Sequence, residues 1–312
     1  MPNDPKRKWS AFLFLSSDPD VRIGGCYHKH YTQRDFYDFI EILVIPDISV
    51  EEAESLPGRL EVRRRGEQSV LANSDNFPLS PGDYIISSSV PLYVTNELFL
   101  DHVMSSSTTP RAQAFRESVR ARDRECVIDQ RSSSDSEDYA GLEVAHIWPL
   151  SQGSEWLRQG YGRFITDSDG VPDEGKMNSP QNGILLSGHI HTWFDAHRVA
   201  VNPRKGYKVY VFGSDRYELS GKRMKVSARE NGDRGVRDAL LMWHFRQCVL
   251  KNMRGSGEPS WDYGPNEGGD VVGRLLSSCD DPDRAMARLG HEVAARLSLS
   301  SFTSSSQSSR NY

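Results

Sequence analysis

Two stretches of the chain decide its fold: VAHIWP at residues 144–149 and NGILLSGHIHTWFDA at residues 182–196. The first is typical of a short strand that stops at a proline. The second is typical of an apolar strand that runs into a helix. His146 ends the first strand, Asn182 precedes the second, and His191 lies in the helix, so polar residues stand at the corners of an otherwise apolar α+β unit.

These corner residues suit phosphodiester hydrolysis. That reaction needs a base to activate water, a cation to absorb negative charge, and a rigid frame. A neutral histidine such as His146 suits the base, because its ordinary pKa lies near neutral pH. The Asn182 amide both donates and accepts hydrogen bonds, so it can clamp the backbone of the loop that follows His146.

A cation site is predicted on the helix. His191 and Asp195 are four residues apart, so both side chains lie on one helix face and can meet one ion. A nitrogen and a carboxylate oxygen suit one divalent metal ion, either Mg²⁺, Mn²⁺ or Zn²⁺. Glu143 and His189 are possible additional ligands. Glu143 shares the strand face of Ala145 but lies about 6.6 Å further back along the strand.

Basic residues on both sides of the motif are candidates for phosphate contacts. A helix that begins at Arg111 carries several arginines, which either hold phosphates or form a solvated face paired with nearby acidic residues. The phosphate-binding candidates are Arg120, Arg124, Arg198, Arg204 and Lys205.

The two stretches resemble the HNH, or ββα-metal, endonuclease family, and most closely a fungal-type branch with Ala-His-Ile-x-Pro and His-x-x-Phe-Asp-Ala halves. The resemblance covers roughly residues 111–212. It implies that His146 is the general base, that Asn182 organises the motif loop, and that His191 is a metal ligand. Asp195 is similar to the family's final metal ligand.

The chain departs from the family pattern at two positions. Relatives often place a metal ligand immediately before the base, where this chain has Ala145. Relatives also often begin a zinc-binding Cys-x-x-Cys at the position of Cys126, but Asp129 occupies the second position here. These two departures weaken the predicted metal site and argue against a structural zinc.

Alternating apolar segments predict further elements around the motif. The expected fold class is α+β, a ββα-metal HNH nuclease domain with a small N-terminal α+β domain and C-terminal helices. In the N-terminal domain we expect a strand at 9–16, a turn at 17–20, a helix capped by Thr32, and strands at 60–64, 83–87 and 92–95. A hairpin at 199–212 and a helix at 236–252 are expected after the motif.

Composition places boundaries between these parts. The predicted division is an N-terminal domain of unknown role at 1–100, a linker at 101–110, and the HNH domain with its following helix at 111–254. A flexible linker at 255–275, an amphipathic helix at 276–298 and a disordered tail at 299–312 complete it.

Charge and cysteine content exclude some classes of protein. A net charge of −5 argues against bulk coating of nucleic acid but leaves room for a local basic groove. The four cysteines are far apart, which indicates neither a zinc ribbon nor a disulfide framework. We expect an intracellular protein of the cytoplasm or nucleus, with no membrane span.

Two functions follow from these observations. The first is a metal-dependent HNH endonuclease that cleaves nucleic acid, with DNA favoured and RNA left open. The second is a catalytically weak or inactive HNH-fold protein that binds nucleic acid or regulates, because Ala145 removes effective metal binding. Protein partners are unknown, and the N-terminal residues do not reveal their role.

Overall fold

In the described N-terminal residues, a mixed four-stranded sheet packs with a helix. The computed structural model describes residues 9–46, 60–97, 99–100, 110–131, 139–167, 172–229 and 232–255. The sheet has the strand order β2-β1-β5-β4, in which β1 and β5 are parallel and the outer pairs are antiparallel. A separate two-stranded antiparallel sheet joins β3 to β6. These strands are β1 (Ala11–Leu15), β2 (Asp18–Cys26), β3 (Val44–Pro46), β4 (Glu61–Arg64), β5 (Gly82–Ser87) and β6 (Leu92–Val94).

The sequence did not predict strand β2. A turn was expected at residues 17–20. The structure instead has a turn at residues 16 and 17, and the strand begins at Asp18. Its first residues are charged and exposed, so they lack the apolar alternation that marks a strand. Gly24 permits a close backbone approach, because a Cβ there would lie 2.4 Å from the carbonyl oxygen of Met253. The glycine is required by a contact with a distant part of the chain, which the local sequence does not show.

Helix α1 (Gln33–Leu43) begins at the predicted cap. The Thr32 side chain accepts a hydrogen bond from the Asp35 amide, and the Asp35 carboxylate accepts one from the Thr32 amide. This capping box satisfies two amides that the first helical turn leaves unpaired. Phe36, Phe39 and Ile40 are fully buried, so the predicted apolar face of the helix is confirmed.

The two motif stretches form an antiparallel pair of strands followed by a helix. Strand β7 (Leu142–His146) pairs with β8 (Gly183–Ser187), and His146 lies opposite Gly183. Helix α5 (Gly188–Asp195) follows β8 directly. Other helices of this part are α2 (Pro110–Asp123), α3 (Gly153–Arg158), α4 (Asp173–Lys176) and α6 (Val226–Arg229).

The hairpin of β9 (Val199–Asn202) and β10 (Lys208–Val211) is buried on both faces. Val199, Val201, Val209 and Val211 face the core that contains β7 and β8. Ala200 and Tyr210, together with Phe212 just after β10, face the core of the N-terminal sheet and α1. Period-two alternation therefore assigns one hairpin to two cores.

Helix α7 (Asp238–Met253) also contributes to both cores. Its first half supplies Leu240, Leu241 and Trp243 to the motif core. Its second half supplies Phe245, Val249 and Met253 to the N-terminal core. All described residues fall within one compact unit.

The predicted α+β class is confirmed, and so are the hairpin at 199–212 and the helix after it. The predicted domain boundaries stay a prediction. Nearly all of the linker at 101–110 and of the segments predicted from 255 onwards lies outside the described residues. None of the helices in the described part combines the length and apolar composition that crossing a membrane requires.

Candidate active site

Asn182 holds the loop that follows His146. Its Oδ1 accepts a hydrogen bond from the Trp148 amide at 2.8 Å, and its Nδ2 donates to the carbonyl oxygens of Trp148 at 3.1 Å and Met177 at 2.9 Å. The Ile147 amide also donates to the Asn182 carbonyl oxygen at 2.9 Å. Asn182 is fully buried. One side chain therefore ties both backbone groups of Trp148, in the chain leaving β7, to the carbonyl oxygen of Met177.

The His146 ring lies against helix α2. It stacks on Phe115 with ring centroids 4.0 Å apart and 13° between the planes. The same phenylalanine lies over the paired strand, where a Cβ at Gly183 would come within 2.6 Å of its ring. Glycine at 183 is therefore needed for Phe115 to reach the imidazole.

Asn178 sets the orientation of the His146 ring. Its Oδ1 lies 3.3 Å from Nε2 of His146. An amide oxygen only accepts hydrogen bonds, so Nε2 carries the proton in this pair, and the neutral ring has its lone pair on Nδ1. A base acting through Nδ1 is therefore compatible with the contact.

His191, Asp195 and Glu143 form one cluster. Nε2 of His191 lies 3.2 Å from Oδ2 of Asp195, and Nδ1 lies 2.5 Å from Oε2 of Glu143. The His191 and Asp195 side chains are only 15% and 11% exposed, whereas Glu143 is 57% exposed. The structure therefore brings together the two predicted ligands and one of the two possible additional ligands.

The cluster favours the protonated imidazole. Burial lowers the pKa of His191, but hydrogen bonds and charges from Asp195 and Glu143 outweigh burial and raise the pKa to about 9. A cation bound at Nε2 would have to displace a proton from that nitrogen.

The donor set fits one hard or borderline cation held by few protein ligands. The carboxylates of Asp195 and Glu143 contact different nitrogens of the His191 ring. Only Asp195 can therefore share an ion bound at Nε2. Glu143 is then placed as the outer carboxylate that accepts the Nδ1 proton, a common arrangement around metal-bound histidines. In the part of the chain that the structure describes, no three His, Cys, Asp or Glu side chains are grouped as a ready-made metal cage. Substrate oxygens and water would complete the coordination.

Residues 126–202 match the family model described as HNH endonuclease, HNH_2. This HNH segment contains Asn182, His146 and the His191 cluster. Residues 8–93 match a second family model, described as a domain of unknown function, DUF8573. The chain has no match among curated proteins, and none among solved structures.

His189 lies elsewhere in the HNH segment. Its Nε2 is 3.8 Å from Oδ2 of Asp129, and its ring lies 4.5 Å from that of Tyr217. Two residues along a helix correspond to a rotation of about 200°, so His189 and His191 point to different sides of α5. The structure does not join His189 to the ligand cluster.

The predicted phosphate contacts fall into three groups. Arg124 and Arg204 are exposed. Arg120 and Arg198 lie over the rings of Tyr139 and Trp193, at 4.9 and 4.4 Å from the centroids. Lys205 forms a 3.0 Å ion pair with Asp38 of α1, which ties it to the N-terminal part.

Sequence reasoning missed Asn178 and Phe115 beside His146, and the buried pair Arg122 and Asp123 beneath β8. Arg122 belongs to the helix whose arginines the sequence assigns either to phosphates or to a solvated face. Its side chain is 1% exposed. The only signal was the neighbouring opposite charge, which surface helices share.

Proposed function

We propose that the protein is a metal-dependent endonuclease that hydrolyses phosphodiester bonds in nucleic acid, with DNA as the expected substrate. The observation that carries the proposal is the joint placement of Asn182 on the loop after His146 and of Asp195 on Nε2 of His191, inside a segment that matches HNH endonucleases. The order of β7, β8 and α5 supports a ββα-metal arrangement.

His146 serves as the general base in this proposal. The contact of Nε2 with the Asn178 amide oxygen places the ring proton on Nε2, so Nδ1 is the nitrogen to which we assign acceptance of the water proton. Stacking on Phe115 restricts rotation of the ring, and the Asn182 clamp fixes the backbone that carries it. Both contacts keep the base in one orientation, which lowers the entropic cost of reaching the transition state.

His191 and Asp195 are the residues that would hold a divalent cation, Mg²⁺, Mn²⁺ or Zn²⁺. When bound, such an ion polarises the phosphate and stabilises the departing oxygen. Glu143 keeps the Nδ1 proton of His191 in place, so Nε2 is directed towards Asp195. Glu143 and His146 are three residues apart on an extended strand, roughly 10 Å, so base and cation pair are best tested separately.

The base is tested by plasmid nicking in Mg²⁺ or Mn²⁺. We expect His146→Ala to lose at least about 100-fold in nicking rate, because general bases contribute roughly that much or more. His30→Asn is the matched control, since it removes an exposed imidazole from a left-handed backbone position that asparagine tolerates. Equal nicking by the parent and His146→Ala would contradict the proposed mechanism.

The cation pair is tested without catalysis. A divalent ion that binds only the folded protein must raise its melting temperature. We expect Mn²⁺ to stabilise the parent and His146→Ala but not His191→Ala. No stabilisation at millimolar metal, together with no nicking, would favour the inactive binding or regulatory protein instead.

We also propose that the protein acts inside the cell, in the cytoplasm or nucleus. Cys26, Cys126 and Cys248 are free and buried, as in proteins of reducing compartments. Fractionation of cells expressing a tagged chain tests this location.

A further inference from the structure

A cluster of cations and aromatic rings lies beside helix α5. The guanidinium groups of two arginines lie over the ring of Trp193. Cζ of Arg198 is 4.4 Å and Cζ of Arg216 is 5.4 Å from the ring centroid. Arg216 also lies 5.1 Å from the ring of Tyr217, which is 4.7 Å from Trp193. We call Arg198, Arg216, Trp193 and Tyr217 the arginine-tryptophan cluster.

The two arginines differ from several basic residues elsewhere in the fold that are neutralised by carboxylates. Lys205, Lys208, Lys225 and Arg246 all pair with carboxylates. Among the described residues, neither Arg198 nor Arg216 lies within ion-pair distance of a carboxylate. Asp215 precedes Arg216 in sequence, but its carboxylate accepts hydrogen bonds from the amides of Leu219 and Ser220 instead. Two like charges are therefore held together without a counter-ion from the described chain.

Arg216 makes the charged form of Arg198 less favourable. Burial and the charge of Arg216 lower the pKa of Arg198. Placing two cations together costs free energy, which an anion between them would recover. Arg216 is exposed, and Arg198 and Tyr217 are half-buried, so an anion can reach the cluster from solvent.

Each guanidinium carries five N–H donors, more than the face of one aromatic ring can occupy. The donors directed away from the ring form a fork that matches phosphate. Trp193 is two residues from both His191 and Asp195, so it lies on a different side of α5 from the ligand pair. A ligand on this cluster is therefore separate from the proposed cation.

We propose that the arginine-tryptophan cluster binds a backbone phosphate of nucleic acid beyond the cleaved position. The inference rests on the proposed function for the identity of the polymer, but not on catalysis. It adds Arg216 to the phosphate contacts and gives Trp193 the role of a platform for both arginines.

Binding is measured by fluorescence anisotropy of a labelled DNA duplex in EDTA over a range of salt concentrations, with His146→Ala as the parent. Each phosphate contact contributes about 0.9 to the slope of log affinity against log salt. We expect Arg198→Gln with Arg216→Gln to reduce that slope by about 0.9, the share of one phosphate, and Arg216→Gln alone to reduce it by a smaller amount. The single variant changes an exposed side chain, so it guards against loss of folding.

The matched control is the double variant Arg22→Gln with Arg65→Gln. These arginines also lie over aromatic rings, Phe12 and Phe14, but on the N-terminal sheet. The change in net charge is the same, so an equal loss in both double variants would overturn the inference. Absence of duplex binding by the parent would overturn it too. Tight binding through the cluster with no nicking by the wild-type chain would contradict only the proposed function.

Discussion

Arg122 and Asp123, neighbours in sequence, form a buried ion pair beneath the start of β8. Nε of Arg122 lies 2.6 Å from Oδ1 of Asp123, and both side chains are almost completely buried. Arg122 also donates to the carbonyl oxygens of Pro180, Gly183 and Arg234, while Asp123 accepts from the Leu185 amide. The pair therefore fixes the backbone on both sides of Asn182.

We predict that Arg122→Met lowers the free energy of unfolding by about 3–5 kcal/mol, because it leaves a buried carboxylate without its cation. The carbonyl oxygens that Arg122 served also lose a donor. Urea unfolding measures the loss. Arg124→Met, two residues away and exposed, is the control and should change stability by less than about 0.5 kcal/mol. Similar stabilities for the two variants would show that the pair contributes little.

Asn182→Ala is predicted to affect both stability and nicking. It leaves the amide of Trp148 and the carbonyl oxygens of Trp148 and Met177 buried without their partner, at a cost of about 2–4 kcal/mol in unfolding free energy. Below its melting temperature the variant should also nick plasmid more slowly, because the loop beside His146 is released. Asn182→Asp keeps the acceptor but loses the donor, so it should not restore activity. If the folded Asn182→Ala protein nicks plasmid at the wild-type rate, the hydrogen bonds of Asn182 do not position the loop for catalysis.

The local pattern of the site could be predicted from sequence, but its surroundings could not. Strand alternation, the proline after His146 and the helical spacing of His191 and Asp195 are properties of neighbouring residues. Asn178 and Phe115 contact His146 from other parts of the chain, so no sequence spacing predicts these contacts. A charge next to its opposite is as common on a surface as in a core, which hid Arg122.

The same limit applies to the fold. The β9–β10 hairpin was predictable because two short runs rich in valine and aromatic residues flank a turn at residues 203–206. Its two apolar faces gave no indication of which core each would join. That Tyr210 packs on the N-terminal part and Val209 on the HNH segment depends on contacts across the whole chain.

Glu143→Gln is predicted to weaken metal binding without abolishing it. The amide oxygen can still accept the Nδ1 proton of His191, but it lacks the charge that makes Nε2 more basic. Outer-shell changes of this kind cost about 10–100-fold in metal affinity. Melting temperature followed over a Mn²⁺ titration measures the change. Glu117→Gln, on the exposed face of α2, should leave the titration unchanged, and identical midpoints for the two variants would remove Glu143 from the site.

Acid should destabilise the contact between α1 and β10. Burial alone would raise the pKa of Asp35, but hydrogen bonds from Lys208, the Thr32 amide and Tyr210 outweigh burial and lower the pKa below its ordinary value. The unfolded chain therefore binds more protons, and stability rises with pH across the interval between the two pKa values. The stabilisation is complete above the unfolded-state pKa, near 4, and is lost as pH falls through the folded-state pKa.

Asp38, one helical turn from Asp35, is predicted to show the opposite slope. Burial raises the pKa of its carboxyl group despite the ion pair with Lys205, so the folded chain binds more protons and stability falls as pH rises from the unfolded-state pKa through the folded-state pKa. Urea unfolding of the parent, Asp35→Asn and Asp38→Asn separates the two contributions. The measurements run from about pH 3 to about pH 7, the range over which carboxyl groups titrate. Asp35→Asn should flatten the acid limb of the stability curve, whereas Asp38→Asn should steepen the rise of stability with pH. If both substitutions change the slope in the same direction, the hydrogen bonds of Asp35 and the burial of Asp38 do not shift the two pKa values in opposite directions.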